Sequence, residues 1–289
     1  VEVDGGVTSG ETLTTSEPRS NDAPSSEQTP MQPYPETPTG EGASNSSDVA
    51  HAPTASSAPS DATSAPCDEL NPCSIGPLIH RYSFTDISAG IVDEVGRAHG
   101  VIVGKAVQGE GRMILDAATY GELPNTVLDG LKDFTLEVWF TTYRARVWER
   151  IFDFGEAANG NGKTYLFFTS QVPGASGTMR FAVRPTGGTE RVLDTALDPV
   201  ANVETHIAVV FDDTNNQMLV YHDGELSRSA ANNTSLSQIN IVHSWLGRSM
   251  FSSDPGFEGE FNEFRIYDAA LDATEIRRSY NAGPDYLSD

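Results

Sequence analysis

His206-Ile207-Ala208-Val209-Val210-Phe211 and Met218-Leu219-Val220-Tyr221-His222 decide the reading of this chain. Each is a short run of β-branched and aromatic residues. Asp212-Asp213-Thr214-Asn215-Asn216 between them is turn chemistry throughout, so the two runs predict an antiparallel pair. Asp223-Gly224 predicts the next tight turn, because both positions tolerate positive φ. Leu246-Gly247-Arg248-Ser249 follows, then Gly259-Glu260-Phe261-Asn262-Glu263-Phe264-Arg265-Ile266-Tyr267. The series closes on a helix with its caps written in sequence. Asp272 can accept from first-turn amides, and Glu275 completes a capping box. Ile276 and Tyr280 share one face, and Gly283-Pro284 stops the helix.

Working outward, residues 78–84 alternate, with His80, Tyr82 and Phe84 on one face. Val101-Ile102-Val103, Met113-Ile114-Leu115 and Arg150-Ile151-Phe152-Asp153-Phe154 read as strands, and Phe134-Thr135-Leu136-Glu137-Val138-Trp139-Phe140-Thr141 is the strongest of all. Residues 164–169 and 179–183 predict a hairpin joined through Pro173-Gly174, and residues 157–162 read as a small-residue loop. Roughly a dozen short strands and one short C-terminal helix predict an all-β domain, a two-sheet antiparallel sandwich. Jelly-roll closure is the expected way to manage its edges.

Composition divides the chain. Residues 1–77 hold twelve acidic residues, one basic residue (Arg19) and almost no large apolar side chains, with prolines spread throughout. Such a stretch cannot bury enough apolar surface to offset its ordering entropy, so it reads as a disordered acidic tether ahead of one domain over 78–289. Net charge is −23, and twenty-nine acids face seventeen bases beyond residue 77. That balance excludes a nucleic-acid partner, since phosphate binding needs a basic surface. Cys67 and Cys73 are the only cysteines. A disulfide between them is sterically feasible if their Cα atoms approach within about 7 Å, and it suits an oxidising compartment. A zinc site is not expected, for want of a second cysteine or histidine pair nearby. No stretch reaches the ~18 apolar residues of a membrane span. The chain opens Val1-Glu2-Val3-Asp4 with no basic and apolar leader. A long Ser/Thr/Pro tether before a β domain is nonetheless the arrangement of secreted or cell-surface proteins, so a removed export signal is expected.

Taken together, these segments resemble the laminin-G-like branch of the concanavalin A-like lectin/glucanase superfamily over about residues 78–284. Arg81-Tyr82-Ser83-Phe84, Val92-Asp93, His99-Gly100 and the 134–140 strand carry the resemblance. So do Trp148-Glu149-Arg150-Ile151-Phe152-Asp153-Phe154-Gly155, Tyr221-His222-Asp223-Gly224, Gly247-Arg248 and the 261–267 strand. The resemblance implies an exported jelly roll that binds glycans or protein partners far more often than it catalyses. It also implies, for some members, one calcium ion at the sheet rim. The matching positions are Asp93 and the Asn262-Glu263 pair, with Asp86 as a further ligand. Calcium takes roughly six to eight oxygens, and Asn262 offers a carbonyl where the family often carries a carboxylate. Asp212 to Asn216 lacks the alternating acids and central glycine of an EF-hand and reads as a plain turn.

Catalytic constellations are sparse. Glycoside hydrolysis needs two carboxyls about 5–9.5 Å apart. Glu258 and Glu260 alternate toward Asn262, but the spaced Glu-Asp-Glu series of the glucanases is absent, so they read as rim residues. No Gly-x-Ser-x-Gly elbow or phosphate loop occurs. His206 and His222 read as structural histidines, and Trp139 and Trp245 as core. Tyr143, Arg146 and Trp148, in or near loops, are the ligand-binding nominees: an exposed ring for a sugar to stack on and a cation for its hydroxyls. The expectation is a non-catalytic extracellular module that recognises a glycan or surface partner. A protein-binding adhesion or assembly subunit is the alternative, and a polysaccharide-acting hydrolase or lyase is disfavoured. Asn45-Ser46-Ser47 and Asn232-Asn233-Thr234 match glycosylation acceptors.

Overall fold

A computed structural model describes residues 76–287, apart from 89, 175–177 and 196–198. The expected tether, the Cys67–Cys73 bridge and the Asn45 acceptor lie outside the described residues. The described chain forms, in order, β1 (Leu78–Tyr82), β2 (Val101–Val103), β3 (Val107–Gly109), β4 (Arg112–Leu115), β5 (Tyr120–Leu123), β6 (Phe134–Thr142), β7 (Arg150–Ala158), β8 (Asn161–Thr169), β9 (Arg180–Arg184), β10 (Arg191–Asp194), β11 (Thr205–Asp212), β12 (Gln217–His222), β13 (Glu225–Ala231), β14 (His243–Leu246), β15 (Gly259–Tyr267) and α1 (Ala273–Ala282). They make the two-sheet antiparallel sandwich read from the sequence. One sheet runs β13-β12-β11-β6-β15-β4-β3, with β1 also on β15, and the other runs β10-β9-β8-β7-β14-β5-β2.

Period-two alternation builds the core. In β6, Phe134, Leu136, Val138 and Phe140 point inward, and β11 sends in Ile207, Val209 and Phe211. Phe134 and Phe211 stack at 4.9 Å, and Phe264 of β15 meets the edges of Phe152 and Phe154 at 6.0 and 6.2 Å across the sheets. Each such ring, wholly buried, contributes about 1.5–3 kcal/mol by leaving water. In β15 a bulge at Asn262 shifts the phase, so that Phe261 and Phe264 both face the core. The simple alternation expected from Glu258 through Asn262 therefore breaks there.

The loop expected at 157–162 is instead the tip of a hairpin: Ala158 pairs with Asn161 around Asn159-Gly160. Asn159 (φ 53°) and Gly160 (φ 75°) supply the two positive φ values such a turn needs. Asp223 (φ 49°) and Gly224 (φ 76°) make the same turn between β12 and β13, as expected. Helix α1 seals the outer face of the first sheet: Ile276 and Leu271 pack on Ala208, Val210, Tyr221 and Tyr267. Its capping box is as read, with Asp272 accepting from the Thr274 and Glu275 amides (2.8 and 2.9 Å) and Glu275 accepting from the Asp272 amide (2.7 Å).

Candidate functional site

While α1 covers part of the outer face of the first sheet, the outer face of the second sheet carries a row of charged and aromatic side chains. Register places Glu122, Trp245, Asp153, Phe167 and Ala182 in one row across β5, β14, β7, β8 and β9. Side chains two apart share a face, so Tyr165 joins this row while Leu166 and Phe168 enter the core.

An ion cluster fastens a loop onto this face. Arg150, 2% exposed, lays its guanidinium 3.8 Å above the Phe167 ring. Its Nη1 donates to the Trp148 carbonyl (2.9 Å), and Nη2 lies 3.1 Å from Asp254. Asp254 also accepts from Ser249 Oγ (2.7 Å), which pins the 249–256 loop. Asp153 is buried beneath it: Oδ2 accepts from the Met250 amide (2.9 Å) and faces Arg150 Nε at 3.4 Å, while Oδ1 has no partner. Burial pushes the Asp153 carboxyl up to about 7, against the pull of Arg150 and the Met250 amide. Gly256 lets this loop close on its neighbour, because a Cβ there would lie 2.1 Å from the Ala117 carbonyl oxygen.

Two pockets open along the face. The larger, about 420 Å³, lies between the 117–120 and 247–256 segments over Trp245. The smaller, about 210 Å³, is bounded by Trp148, Arg150, Phe167 and Glu190. Phe251 and Asp254 line both, so the pockets form one trench. Three aromatic rings along it are half-buried: Tyr120, Phe251 and Trp148. Trp148 sits at φ 66°, a strained backbone for a bulky residue. The strain is held by its amide donating to the Gln171 carbonyl (2.9 Å) and by the Arg150 bond to its own carbonyl. At the far end Arg248 is exposed and lies 4.4 Å over both Tyr120 and Trp245.

Of the three ligand nominees, the structure brings only Trp148 to this trench. Tyr143 donates its hydroxyl to Glu260 (2.9 Å), and partial burial, then that carboxylate, push the phenol up to about 12. Arg146 donates to the Gly256 carbonyl (2.6 Å) and to Glu149 (3.2 Å). Glu149 is buried, which raises its pKa against the opposing Glu258 amide and Arg146. Tyr143 and Arg146 thus brace the β6–β7 connection against the 256–260 segment. Arg150, Asp153, Phe167 and Asp254 were not singled out as ligand candidates from sequence. Their only signal was two charged residues inside an otherwise apolar strand.

The calcium nominees do not converge. Asp93 Oδ1 accepts from the amides of Arg81, Val95 and Gly96, and Oδ2 from the Ala98 amide and His80 Nδ1 at 2.6 Å. Burial raises that carboxyl, and the Gly96 amide, His80 and the other amides outweigh it to leave it below its ordinary value. Glu263 is clasped by Arg81 (2.6 Å) and Arg265 (2.7 Å), and Asn262 donates to Glu204 (2.7 Å). Asp86 is exposed and accepts from the Ser88 amide. The Asp93 and Glu263 oxygens are taken up by protein donors, and among the described residues no three His, Cys, Asp or Glu side chains are grouped to hold a metal, so these nominees do not form a calcium cage. Glu258 and Glu260 are engaged by Arg144, Arg146, Arg112 and Tyr143, as rim residues would be. His206 donates or accepts at Glu137 (2.9 Å) inside a buried network with Arg265, Tyr267 and Ser279. Asn232 is wholly buried and spends both ends of its amide on the Thr234 backbone, so this acceptor is closed to modification in the folded domain.

A family model of laminin G type matches residues 115–277, more than half of the chain. The chain belongs to the concanavalin A-like lectin/glucanases superfamily. That stretch holds both trench-forming loops and every strand from β6 to β15. Among solved structures, domain 4 of AbnA, an extracellular GH43 arabinanase from Geobacillus stearothermophilus, was determined in complex with arabinotriose. It is 20% identical, with a TM-score of 0.56, covering 71% of this chain and 98% of that one. The binding domain of botulinum neurotoxin serotype D/C is 12% identical, with a TM-score of 0.57, over 71% of this chain and 51% of that one. The CBM40 of Ruminococcus gnavus IT-sialidase, bound to α2,3-sialyllactose, is 20% identical over 51% of this chain and 82% of its own, with a TM-score of 0.45. At these identities the likeness is one of fold. No curated protein matches the chain. No helix among the described residues is long and apolar enough to cross a membrane.

Proposed function

We propose that this domain is a non-catalytic glycan-recognition module that works outside the cell, and that the trench on the outer face of its second sheet is the binding site. One observation carries the reading: three half-buried aromatic rings, Tyr120, Phe251 and Trp148, follow one another along a groove whose walls are fixed by buried ion pairs. A sugar presents an apolar ring face and a rim of hydroxyls. Rings in a fixed wall take the first at little ordering cost, and Asp254, Glu190 and Ser252 at the margins can bond the second. The fold is shared with a domain whose structure was determined with arabinotriose, which supports the same reading. A non-catalytic role is supported by the engagement of Glu258 and Glu260 with arginines and by Asp153 and Glu149 lying buried.

The test is a glycan array followed by titration calorimetry on any glycan captured. Trp148→Ala and Phe251→Ala should each weaken binding about tenfold, the loss of one stacked ring at ~1–1.5 kcal/mol. Both variants should melt within a few degrees of the parent. Full binding in both variants, or a blank array beside capture of a protein ligand, would refute the assignment.

A further inference from the structure

Resting on that glycan-binding reading, we infer that the larger pocket takes a negatively charged sugar unit, one bearing a carboxylate or a sulfate ester. The inference starts from Arg248. In a chain with formal charge −23, it is exposed and yet has no carboxylate in salt-bridge range among the described residues. The arginines around it are spoken for: Arg150 holds Asp254 and Asp153, Arg146 holds Glu149 and Glu258, Arg180 holds Asp194. Arg248 instead sits in the corner between two aromatic rings, Tyr120 and Trp245, whose planes cross at 68°, with its guanidinium carbon 4.4 Å from each ring centre. Aromatic contact of this kind uses none of the guanidinium N–H donors, and no carboxylate of the described domain takes them, so a carboxylate or sulfate can.

The pocket floor points the same way by an independent route. Trp245 is only 7% exposed and lines the pocket, and its Nε1–H has no acceptor. A buried indole donor is normally paired, and this one is left without an acceptor beneath the pocket. The acids nearest the pocket are already engaged by protein groups. Asp254 is bound by Arg150 and Ser249, and Glu122, across from Trp245, is held by His243 at 3.1 Å. What the pocket offers a ligand is therefore one free cation and one free buried donor, on walls of small residues such as Ala117, Ala118 and Ala157. A neutral hydroxyl would satisfy Trp245 alone, whereas an anionic substituent engages Arg248 as well.

The experiment is calorimetry with three oligosaccharides of matched length: an oligouronate, a sulfated oligosaccharide and an uncharged one. Each is titrated into the wild type, Arg248→Ala, Arg248→Lys, Trp245→Phe and Arg277→Ala, the last an exposed arginine on α1, against the other sheet. Binding of an anionic oligosaccharide should be at least tenfold tighter than of the neutral one and should weaken with added salt. Arg248→Ala should remove that preference, Arg248→Lys should recover only part of it, and Trp245→Phe should weaken binding severalfold. Arg277→Ala should change nothing. The stronger of the two anionic arms names the substituent. Equal binding of neutral and anionic chains, or anion binding untouched in Arg248→Ala, overturns the inference and leaves the glycan-binding reading standing. No binding to any oligosaccharide overturns both.

Discussion

Asp153 should make this domain lose stability as pH rises from about 4 to 7, and Asp153→Asn should abolish that loss. The carboxyl is wholly buried, one of its oxygens has no donor, and burial carries it from an ordinary 3.8 to about 7. Between those values the unfolded chain has released this proton and the folded chain has not. Unfolding therefore releases a proton across that window, and stability falls with pH through it. Once both states are ionised, above about 7, the contribution is flat. A displacement of this size corresponds to ~4 kcal/mol, an upper figure because Arg150 sits 3.4 Å away and accommodates part of the charge. In Asp153→Asn the amide oxygen can still accept from the Met250 amide, and the amide nitrogen takes the place of the unpartnered oxygen. Denaturant unfolding of both proteins at pH 4, 5, 6, 7 and 8 isolates the group, since all other titrations cancel in the difference. The variant should gain on the parent with rising pH, by up to ~4 kcal/mol, with unchanged m-values. Parallel pH profiles would refute the reasoning.

Asp272→Ala should cost about 1 kcal/mol, lowering the melting temperature by roughly 2–4 °C, and Asp272→Asn should restore most of it; thermal unfolding decides. Gly256→Ala places a Cβ 2.1 Å from the Ala117 carbonyl oxygen and must part the two loops that wall the larger pocket. It should destabilise by about 1–3 kcal/mol and weaken oligosaccharide binding, both read from one calorimetric series.

The architecture was legible where one face of a strand is buried. In β6 and β11 a slip of one residue would send every phenylalanine and leucine to solvent, so alternation specifies both the strand and its inner face. Legibility failed where pairing rests on backbone conformation. Residues 157–162 look like a loop by composition, yet Asn159-Gly160 is hairpin chemistry, and the bulge at Asn262 leaves no mark in hydrophobicity. The trench was only partly readable for a different reason. Trp148 stood out as a ring beside a turn, but Arg150, Phe167 and Asp254 meet from two strands and a distant loop. Tyr143 and Arg146 turn toward other partners, and a polar side chain in a loop does not announce the carboxylate waiting for it. Glu260 is 117 residues from Tyr143, and Glu149 closes on the Glu258 amide from 109 away.

The opening and closing segments of the sandwich are zipped together: β1 runs antiparallel to the end of β15, Asp268 donates to the Pro77 carbonyl, and Gly76 donates to Glu275 at the start of α1. The chain therefore enters at Gly76 beside the start of α1, the last element of the fold. A cassette with that geometry can be spliced into a surface loop of a host protein without prising the host apart. Tension applied through residue 76 would meet the β1–β15 ladder and the Gly76 clasp before it reached the Phe152, Phe154 and Phe264 contacts between the layers.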